Sequence, residues 1–205
     1  IRSDENLGFV EGNNRVMRRL LDGGEVPTYL WLLNPDTKVH LYAVERLIGF
    51  MNSHPKAGLA GPKLLNTDGS LQMCAFRFPG VIQPLFDLHL MPERLYYSRF
   101  NGRYPRNWFD QEAPFQIDHP LGAAMFARVQ AIRDVGLLDS QFFMYCEEVD
   151  WAWRMRNADW NVWLVPGAQV THIGGASTDQ ALPQTTRYLW HSRAKLYAKH
   201  RSLIV

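Results

Sequence analysis

Apolar residues follow two different spacings in the first third of the chain. Over about Gly12–Leu21 and Val39–Asn52 they recur at the spacing of one helix face, which predicts two amphipathic helices. The segment Thr28–Leu33 is instead a continuous apolar run, which is typical of a strand buried on both faces of a parallel sheet. Another strand is predicted at Gly58–Leu65, before a tight turn at Asp68-Gly69. This alternation predicts an α/β fold with ligands at the carboxyl ends of the strands.

The pattern is less regular after this point. Five prolines are scattered between Phe78 and Phe115 without a clear hydrophobic period, which predicts an irregular insertion at about residues 78–115 with one short helix. The elements predicted after it are a strand over Gln116–Arg128 interrupted at Gly122-Ala123-Ala124, a helix over Glu147–Ala158, strands over Val162–Val165 and Ala168–His172, and a helix over Gln184–His200. We therefore predict one domain over residues 1–205 that carries this insertion.

Composition narrows the class of protein. The chain has 205 residues, of which 46% are hydrophobic and 20% charged, and these shares exclude wholesale disorder. The net charge of +2 is too small to indicate a nucleic-acid partner. Two cysteines, Cys74 and Cys146, cannot form a disulfide scaffold or a zinc site by themselves. No apolar stretch approaches the ~18 residues that span a bilayer, and we expect a cytoplasmic protein.

The first candidate for chemistry is the segment Asn34-Pro35-Asp36, directly after the apolar run. A carboxylate at the end of a buried strand lies at the edge of the sheet, where a hard cation and a phosphate can meet it. The alternative is structural, because Asp36 or Thr37 is also suited to cap a helix that begins near Val39. The residues alone leave both roles open.

The second candidate is the acidic start of the helix after Phe142–Cys146. Glu147, Glu148 and Asp150 all fall in the first turn, where the helix dipole favours negative charge. Because an aromatic run precedes them, we expect at least one carboxylate to line an enclosed cleft, where burial raises its pKa towards the range of a general base. Asp150 and Arg154 are four residues apart, which predicts a structural ion pair.

The third candidate is His172, at the end of the segment Ala168–His172. A lone histidine is a weak candidate for a ligand, but Gly174-Gly175 follows closely and permits a ligand to approach the backbone. The other six histidines have no comparable setting.

These motifs, taken in order, resemble family 2 glycosyltransferases of the rhamnosyltransferase-like branch. The resemblance covers nearly the whole chain apart from the insertion. The motifs that carry it are Asn6-Leu7-Gly8-Phe9 with Gly12-Asn13-Asn14, Leu32-Leu33-Asn34-Pro35-Asp36-Thr37, Gly61-Pro62-Lys63 with Asp68-Gly69, Gly122-Ala123, Val135-Gly136-Leu137-Leu138-Asp139, Phe142–Arg154, Pro166-Gly167-Ala168 and Val170-Thr171-His172.

The resemblance implies a GT-A fold, with a mostly parallel central sheet flanked by helices. It also implies a nucleotide-sugar donor, dTDP- or UDP-linked, and a divalent metal, Mn²⁺ or Mg²⁺. Asn34 and Asp36 match the family's DxD-type motif, so Asp36 is expected to hold the metal and the donor diphosphate. His172 matches a histidine that serves as a further metal contact, and Asn14 is expected near the donor's nucleoside.

On the acceptor side, the resemblance implies an inverting single displacement. Glu148 falls on the catalytic-base position and is expected to take the proton from the attacking hydroxyl of the acceptor. Gly122, Ala123 and Glu147 are expected to shape the acceptor side. The implied product is a bacterial surface glycan or its lipid-linked precursor, so the predicted partners are the nucleotide sugar and a glycan or lipid-linked saccharide.

Three departures from the family pattern define the alternatives. Asn34 stands where many relatives carry Asp, and Glu148 stands where Asp is usual. The strands that grip the nucleobase in the family do not precede Ile1, so we expect the chain to be part of a larger domain. The alternative function is therefore a non-catalytic fragment that binds glycan or a protein partner. A metal-dependent hydrolase that uses Asp36 and His172 is a weaker alternative, since nothing supplies additional ligands.

The end of the chain is basic. The residues concerned are Arg187, Arg193, Lys195, Lys199, His200 and Arg201. A basic amphipathic helix can lie on an anionic membrane, which would place the protein peripherally at the inner face of the plasma membrane. A solvated helix face is the favoured alternative.

Overall fold

In the computed structural model, residues 4–88, 90–174 and 182–201 are described. Their helices are α1 (Gly8–Leu21), α2 (Ala43–Ser53), α3 (Gln83–Asp87), α4 (Arg106–Asp110), α5 (Val129–Val135), α6 (Glu147–Asn157) and α7 (Leu182–His200). Their strands are β1 (Tyr29–Leu33), β2 (Thr37–Val39), β3 (Ala57–Leu65), β4 (Leu71–Gln72), β5 (Ala75–Phe76), β6 (Phe115–Gln116), β7 (His119–Pro120), β8 (Ala124–Arg128) and β9 (Asn161–His172).

A mixed central sheet organises the domain. Its main strands are hydrogen-bonded in the order β1-β8-β3-β9-β2, with β4 paired to β3 and β6 paired to β9. The predicted α/β class is confirmed, but the expectation of a mostly parallel sheet is wrong. Among the described strands, only β3 and β9 pair in parallel, and the other pairings are antiparallel.

The prediction that the apolar run at residues 28–33 is a strand buried on both faces is also wrong. Within the described part of the chain β1 ends the sheet order and pairs with β8. Its side chains alternate: Leu30 and Leu32 are buried, whereas Tyr29 and Trp31 are half-buried and Leu33 is exposed. Large apolar side chains on both faces therefore do not require a strand that is buried on both faces.

Helices cover both faces of the sheet. One core cluster joins the buried side of α2, including Leu47 and Met51, to sheet residues such as Phe126. A larger cluster packs α5 and α6 against the opposite face, with Ile132 and Trp151 among its buried members. Neighbouring strand residues enter different clusters because successive side chains of a strand point to opposite faces.

Several predicted elements are confirmed, with shifted ends. The strand near residues 58–65, the hairpin turn at Asp68-Gly69, the helix after Cys146 and the final helix are all present. The two predicted strands near residues 162–172 are one strand, β9, whose register against β3 shifts between Val165 and Gln169. The helix α5 has no counterpart in the predicted elements.

The insertion contains more regular structure than predicted. Instead of one short helix it carries α3, α4 and two 3₁₀ turns at Glu93–Leu95 and Arg99–Asn101. Aromatic contacts attach it to the rest of the domain, because the Phe78 ring stacks on Trp153 with centroids 4.2 Å apart. The Tyr197 hydroxyl also donates to the Gly80 carbonyl at 2.8 Å, and this hydrogen bond joins α7 to the insertion.

Basic residues in and just after α7 contact the rest of the domain. Four of them make polar contacts with the domain: Lys195 with the Gln141 carbonyl, Lys199 with Asp139 and Asp150, His200 with Asp150, and Arg201 with the Pro79 carbonyl. These contacts hold the end of the chain against the domain, while Lys195, Lys199 and Arg201 stay exposed to solvent. Within the described ranges, every helix is too short or too polar to cross a bilayer.

Candidate active site

Asp36 lies directly before β2, and His172 is the last residue of β9. Strand β2 runs antiparallel to the end of β9, which places Thr37 opposite His172. The Asp36 Oδ1 atom lies 3.4 Å from His172 Nε2, with the two side chains 26% and 12% exposed. The Ile173 N–H donates to the Asp36 carbonyl at 2.9 Å and holds the two segments together.

The alternative role of Asp36 as a helix cap is excluded by this arrangement. Helix α2 begins at Ala43, and its first flanking residue is Tyr42. Thr37 instead closes a turn, since its hydroxyl donates to the Asn34 carbonyl at 2.7 Å. The Asp36 carboxylate therefore does not cap α2, and it can contact a ligand instead.

Gln72 determines which nitrogen of His172 faces Asp36. The Gln72 amide nitrogen donates to Asn66 Oδ1 at 3.1 Å and to the His172 carbonyl at 3.3 Å. Its Oε1 atom lies 2.7 Å from His172 Nδ1, so Nδ1 must be the donor there. In the neutral imidazole the Nε2 lone pair then points at Asp36, which is the tautomer that binds a metal through Nε2.

This pair fits a divalent cation, but only as part of a ligand set. Ligands bound at about 2.1 Å from one ion lie roughly 3 Å apart, close to the distance between the two side-chain atoms here. Among the described residues no group of three or more His, Cys, Asp or Glu side chains could hold a metal. Within the described part of the chain, Asp36 and His172 therefore supply two ligands of a larger set.

A chain of contacts connects this pair to the acidic start of α6. The Asn34 N–H donates to the Ala123 carbonyl at 2.9 Å, which joins the turn after β1 to the start of β8. The neighbouring Gly122 lies against Glu148: a Cβ at that position would be 3.7 Å from the Glu148 Cβ. The structure thus brings Asn34, Asp36, Gly122 and Glu148 into one region.

Two residues in the left-handed backbone conformation precede α6. Tyr145 has φ 69° and Cys146 has φ 66°, and neither is a glycine. Each such residue costs roughly 1–2 kcal/mol, so the surrounding packing must hold them. Because Glu147 and Glu148 are neighbours on a helix, their side chains point about 100° apart. Glu147 is 5% exposed, whereas Glu148 lines a cavity.

Burial changes the acidity of both glutamates. Burial raises the pKa of Glu148 to about 7, although backbone N–H groups at the start of the helix lower it in part. Burial, together with the charge of Glu148, also holds the pKa of Glu147 well above its usual value. Glu147 Oε2 has no hydrogen-bond partner among the described residues. Glu148 is therefore the carboxyl that can exchange a proton with a ligand near neutral pH.

The cavity that Glu148 lines has a volume of about 560 Å³. Its walls come from four segments: residues 76–103 of the insertion region, residues 119–121, residues 145–149 and residues 186–197 of α7. Neither Asp36 nor His172 is among the lining residues, so this pair lies outside the cavity. It is large enough for a sugar-sized ligand.

Asn14 lies outside this arrangement. Its side chain is 1% exposed, its Nδ2 donates to the Leu138 carbonyl at 2.7 Å, and its Oδ1 accepts from the Leu138 N–H at 3.1 Å. Both ends of the amide therefore serve to join α1 to the loop before α6. This geometry favours a structural role over the predicted contact with a nucleoside.

Sequence reasoning missed the residues that complete the region. Gln72 sits in a two-residue strand opposite Leu64, and the predicted hairpin at Asp68-Gly69 could have located it. Arg103 and Trp190 line the cavity from the insertion and from α7. No local pattern marks them, because their position depends on contacts between distant segments.

Comparison with known proteins gives two curated relatives. The first, 30% identical over 84% of this chain and 58% of its own length, is the N-acetylglucosaminyl-diphospho-decaprenol L-rhamnosyltransferase of Mycobacterium tuberculosis, found in strains CDC 1551 and H37Rv. The second, 26% identical over 79% of this chain and 47% of its own length, is the low-salt glycan biosynthesis hexosyltransferase Agl10 of Haloferax volcanii. The chain thus spans about half the length of the relatives it matches. No family model matches it.

Among solved structures, the chain is similar to the crystal structure of GalNAc-T7 with UDP, GalNAc and Mn²⁺. The TM-score is 0.57 at 12% identity, over 85% of this chain and 32% of that one. At this identity the likeness concerns the fold alone, and that fold is the GT-A fold of glycosyltransferases. The predicted fold is confirmed, and so is the resemblance to rhamnosyltransferases.

Proposed function

We propose that this chain, which has the GT-A fold and is homologous to curated glycosyltransferases, transfers a sugar from a nucleotide sugar to an acceptor hydroxyl with inversion at the anomeric carbon. The observation that carries the proposal is Glu148, a carboxyl with a pKa near 7 that lines a sugar-sized cavity beside Gly122. Neutral pH leaves such a group able to accept a proton, as a general base must.

Asp36 and His172 form the donor side in this proposal. They would hold a divalent metal, Mn²⁺ or Mg²⁺, together with the diphosphate of a dTDP- or UDP-linked sugar. When bound, such a metal neutralises charge on the diphosphate. Asn34 supports this site through its backbone, because its N–H and carbonyl fix the turn that carries Asp36.

Glu148 performs the proton transfer. The acceptor oxygen attacks the anomeric carbon of the donor while its proton passes to the Glu148 carboxylate. The bond from the anomeric carbon to the diphosphate oxygen breaks, and its electron pair leaves with the nucleoside diphosphate. Glu148 then releases the proton to water. General-base assistance of this kind contributes ~10²–10⁴ in rate.

The acceptor in this proposal is a lipid-linked saccharide used in glycan biosynthesis. The names of both curated relatives support it, since one acts on a sugar joined to a lipid through a diphosphate and the other belongs to glycan biosynthesis. Gly122 and Ala123 would border the attacking hydroxyl, and Glu147 would support the wall of the site. The proposed place of action is the cytoplasmic, inner face of the membrane that holds such a lipid.

We expect the transfer rate to depend on pH through Glu148. Its pKa is raised to about 7, so the protonated, inactive form dominates below that pH and the base form above it. The ratio kcat/KM should therefore rise about tenfold per pH unit below about pH 7 and then level off. Initial rates measured from about pH 5 to about pH 9 check this. A flat profile across that range would contradict the role of Glu148 as the base.

Replacing Asp36 tests the donor side. In Asp36→Asn the carboxylate becomes a neutral amide, so we expect the affinity for a nucleoside diphosphate with Mn²⁺ to fall by at least about tenfold. Titration calorimetry with UDP and dTDP, with and without Mn²⁺, measures this. The matched control is Asp68→Asn in the exposed hairpin turn, which should bind like the parent. Equal affinities of parent and Asp36→Asn would disprove the donor site.

A further inference from the structure

The cavity beside Glu148 is unusual in its charge. Three arginines, Arg77, Arg103 and Arg193, are among its lining residues, whereas Glu148 is the single carboxylate that lines it within the described ranges. Most other lining groups are apolar or aromatic. A cavity with this excess of guanidinium groups suits a ligand that is both anionic and sugar-sized.

Arg103 is the residue that the local structure prepares most clearly. It follows Gly102, which has φ 65°, and its guanidinium lies over the Phe76 ring at 4.5 Å from the centroid. Its Nε atom is buried and has no hydrogen-bond partner among the described residues. Burial also lowers the pKa of Arg103. A buried N–H donor without a partner is costly. The Arg103 side chain also lines the cavity, so an oxygen of a ligand held there can bind its guanidinium.

Phosphate oxygens match this donor best. The planar guanidinium presents several N–H groups that fit a phosphate with two parallel hydrogen bonds, and such charge-assisted bonds are about twice as strong as neutral ones. A neutral sugar alone would leave the positive charge of Arg103 without a counterion. The ligand of this cavity should therefore carry a phosphate group.

This phosphate belongs to the acceptor and not to the donor. The donor side contains Asp36 and His172, and neither residue lines the cavity. Glu148 lines the cavity from the start of α6, so a hydroxyl of a ligand held there can reach it. An acceptor that bears both a sugar hydroxyl and a phosphate can contact Glu148 and Arg103 at once.

We propose that Arg103 determines acceptor specificity by binding a phosphate group next to the acceptor sugar. This specificity rests on the transferase function proposed above. Uncharged glycosides then bind weakly in the same cavity. The same side chain plays no part in binding the nucleotide.

A binding experiment tests this without requiring turnover. The probes are N-acetylglucosamine 1-phosphate and the uncharged methyl N-acetylglucosaminide, titrated into the protein by calorimetry in the presence of Mn²⁺ and nucleoside diphosphate. We expect the phosphate probe to bind at least about tenfold more tightly. Arg103→Met, which keeps a side chain on Phe76, should remove this difference, and Arg103→Lys should keep part of it.

The two affinities and their ratio in each variant decide whether Arg103 binds the phosphate of the acceptor. Equal affinity of the parent for both probes, or an unchanged ratio in Arg103→Met, overturns the proposal. Weaker nucleoside diphosphate binding by Arg103→Met would move the phosphate to the donor and also overturns it. Arg103→Lys guards against misfolding of the methionine variant, because it keeps the charge and the packing. Failure of the parent to bind any nucleoside diphosphate, with the phosphate preference intact, counts against the proposed function alone.

Discussion

Glu148→Gln should lower the rate of sugar transfer by ~10²–10⁴ while nucleotide binding stays unchanged. Glutamine has nearly the same shape as glutamate, so it preserves the contact with Gly122, but it cannot accept the proton of the acceptor. Single-turnover rates with saturating donor and acceptor measure the loss. Calorimetric titration with nucleoside diphosphate and Mn²⁺ measures donor binding in the same variant.

The stability of this variant provides an internal check. Because the pKa of Glu148 rises on folding to about 7, its contribution to stability is present below its ordinary pKa and is lost as pH rises through about 7. Glutamine has no charge to bury, so at about pH 8 the variant should be at least as stable as the parent. Lost activity in a stable protein then reflects lost chemistry.

The matched control is Glu147→Gln. Glu147 is the neighbouring residue on α6, is 5% exposed and does not line the cavity. Burial and the charge of Glu148 hold its pKa well above the usual value, and glutamine keeps the size and shape of the side chain. We expect its transfer rate to stay within about tenfold of the parent. A large loss in Glu147→Gln, with Glu148→Gln active, would assign the base to the other glutamate.

Asp150→Asn should reduce the free energy of unfolding by roughly 3–5 kcal/mol. The Asp150 carboxylate is fully buried and accepts from Arg154 at 2.8 Å, from Lys199 at 2.7 Å and from His200 at 2.7 Å. Asparagine offers one acceptor oxygen and turns an N–H₂ towards cationic donors. Urea unfolding followed by circular dichroism measures the change.

Asp139→Asn is the control for this prediction. Asp139 binds the same lysine, Lys199, at 2.5 Å, but its side chain is 27% exposed. Water can replace a lost partner there, so we expect a cost of about 1 kcal/mol or less. Equal losses in the two variants would mean that burial of Asp150 is not what makes its contacts important.

Acidification should lower the free energy of unfolding through the contacts of Asp150. Burial opposes the ionisation of Asp150, but hydrogen bonds from Lys199, His200 and Arg154 outweigh it and hold its pKa below the usual value. The stability that Asp150 contributes is therefore present above its ordinary pKa and is lost as pH falls through the lowered value. Since α7 forms one wall of the cavity, its attachment should weaken together with this network.

Local periodicity was enough to predict much of the fold. The helix after Cys146, the strand near residues 58–65 and the final helix have strong patterns and lie close to their predicted positions. The place of β1 in the sheet could not be predicted, because a run of apolar residues does not specify which strands lie beside it. The seven-residue helix α5 was missed because it is short and follows β8 without a break.

The candidate site was predictable where its residues end a strand or begin a helix. Asp36, His172 and Glu148 were identified in this way, and the structure brings Asp36 and His172 within 3.4 Å. The role of Asn14 was not, because the carbonyl and N–H of Leu138 that bind it lie 124 residues away. The contacts of Lys199 and His200 depend in the same way on an acid from another element, the buried Asp150.

The central claim, sugar transfer to an acceptor hydroxyl, is tested most directly by the mass and configuration of the product. The protein is incubated with Mn²⁺, a panel of dTDP- and UDP-linked sugars, and a lipid-linked N-acetylglucosamine diphosphate, and the acceptor is analysed by mass spectrometry and NMR. We expect the acceptor to gain one sugar unit with inverted anomeric configuration, and Glu148→Gln to leave it unmodified. An unmodified acceptor with every donor, or equal product from the parent and Glu148→Gln, would contradict it.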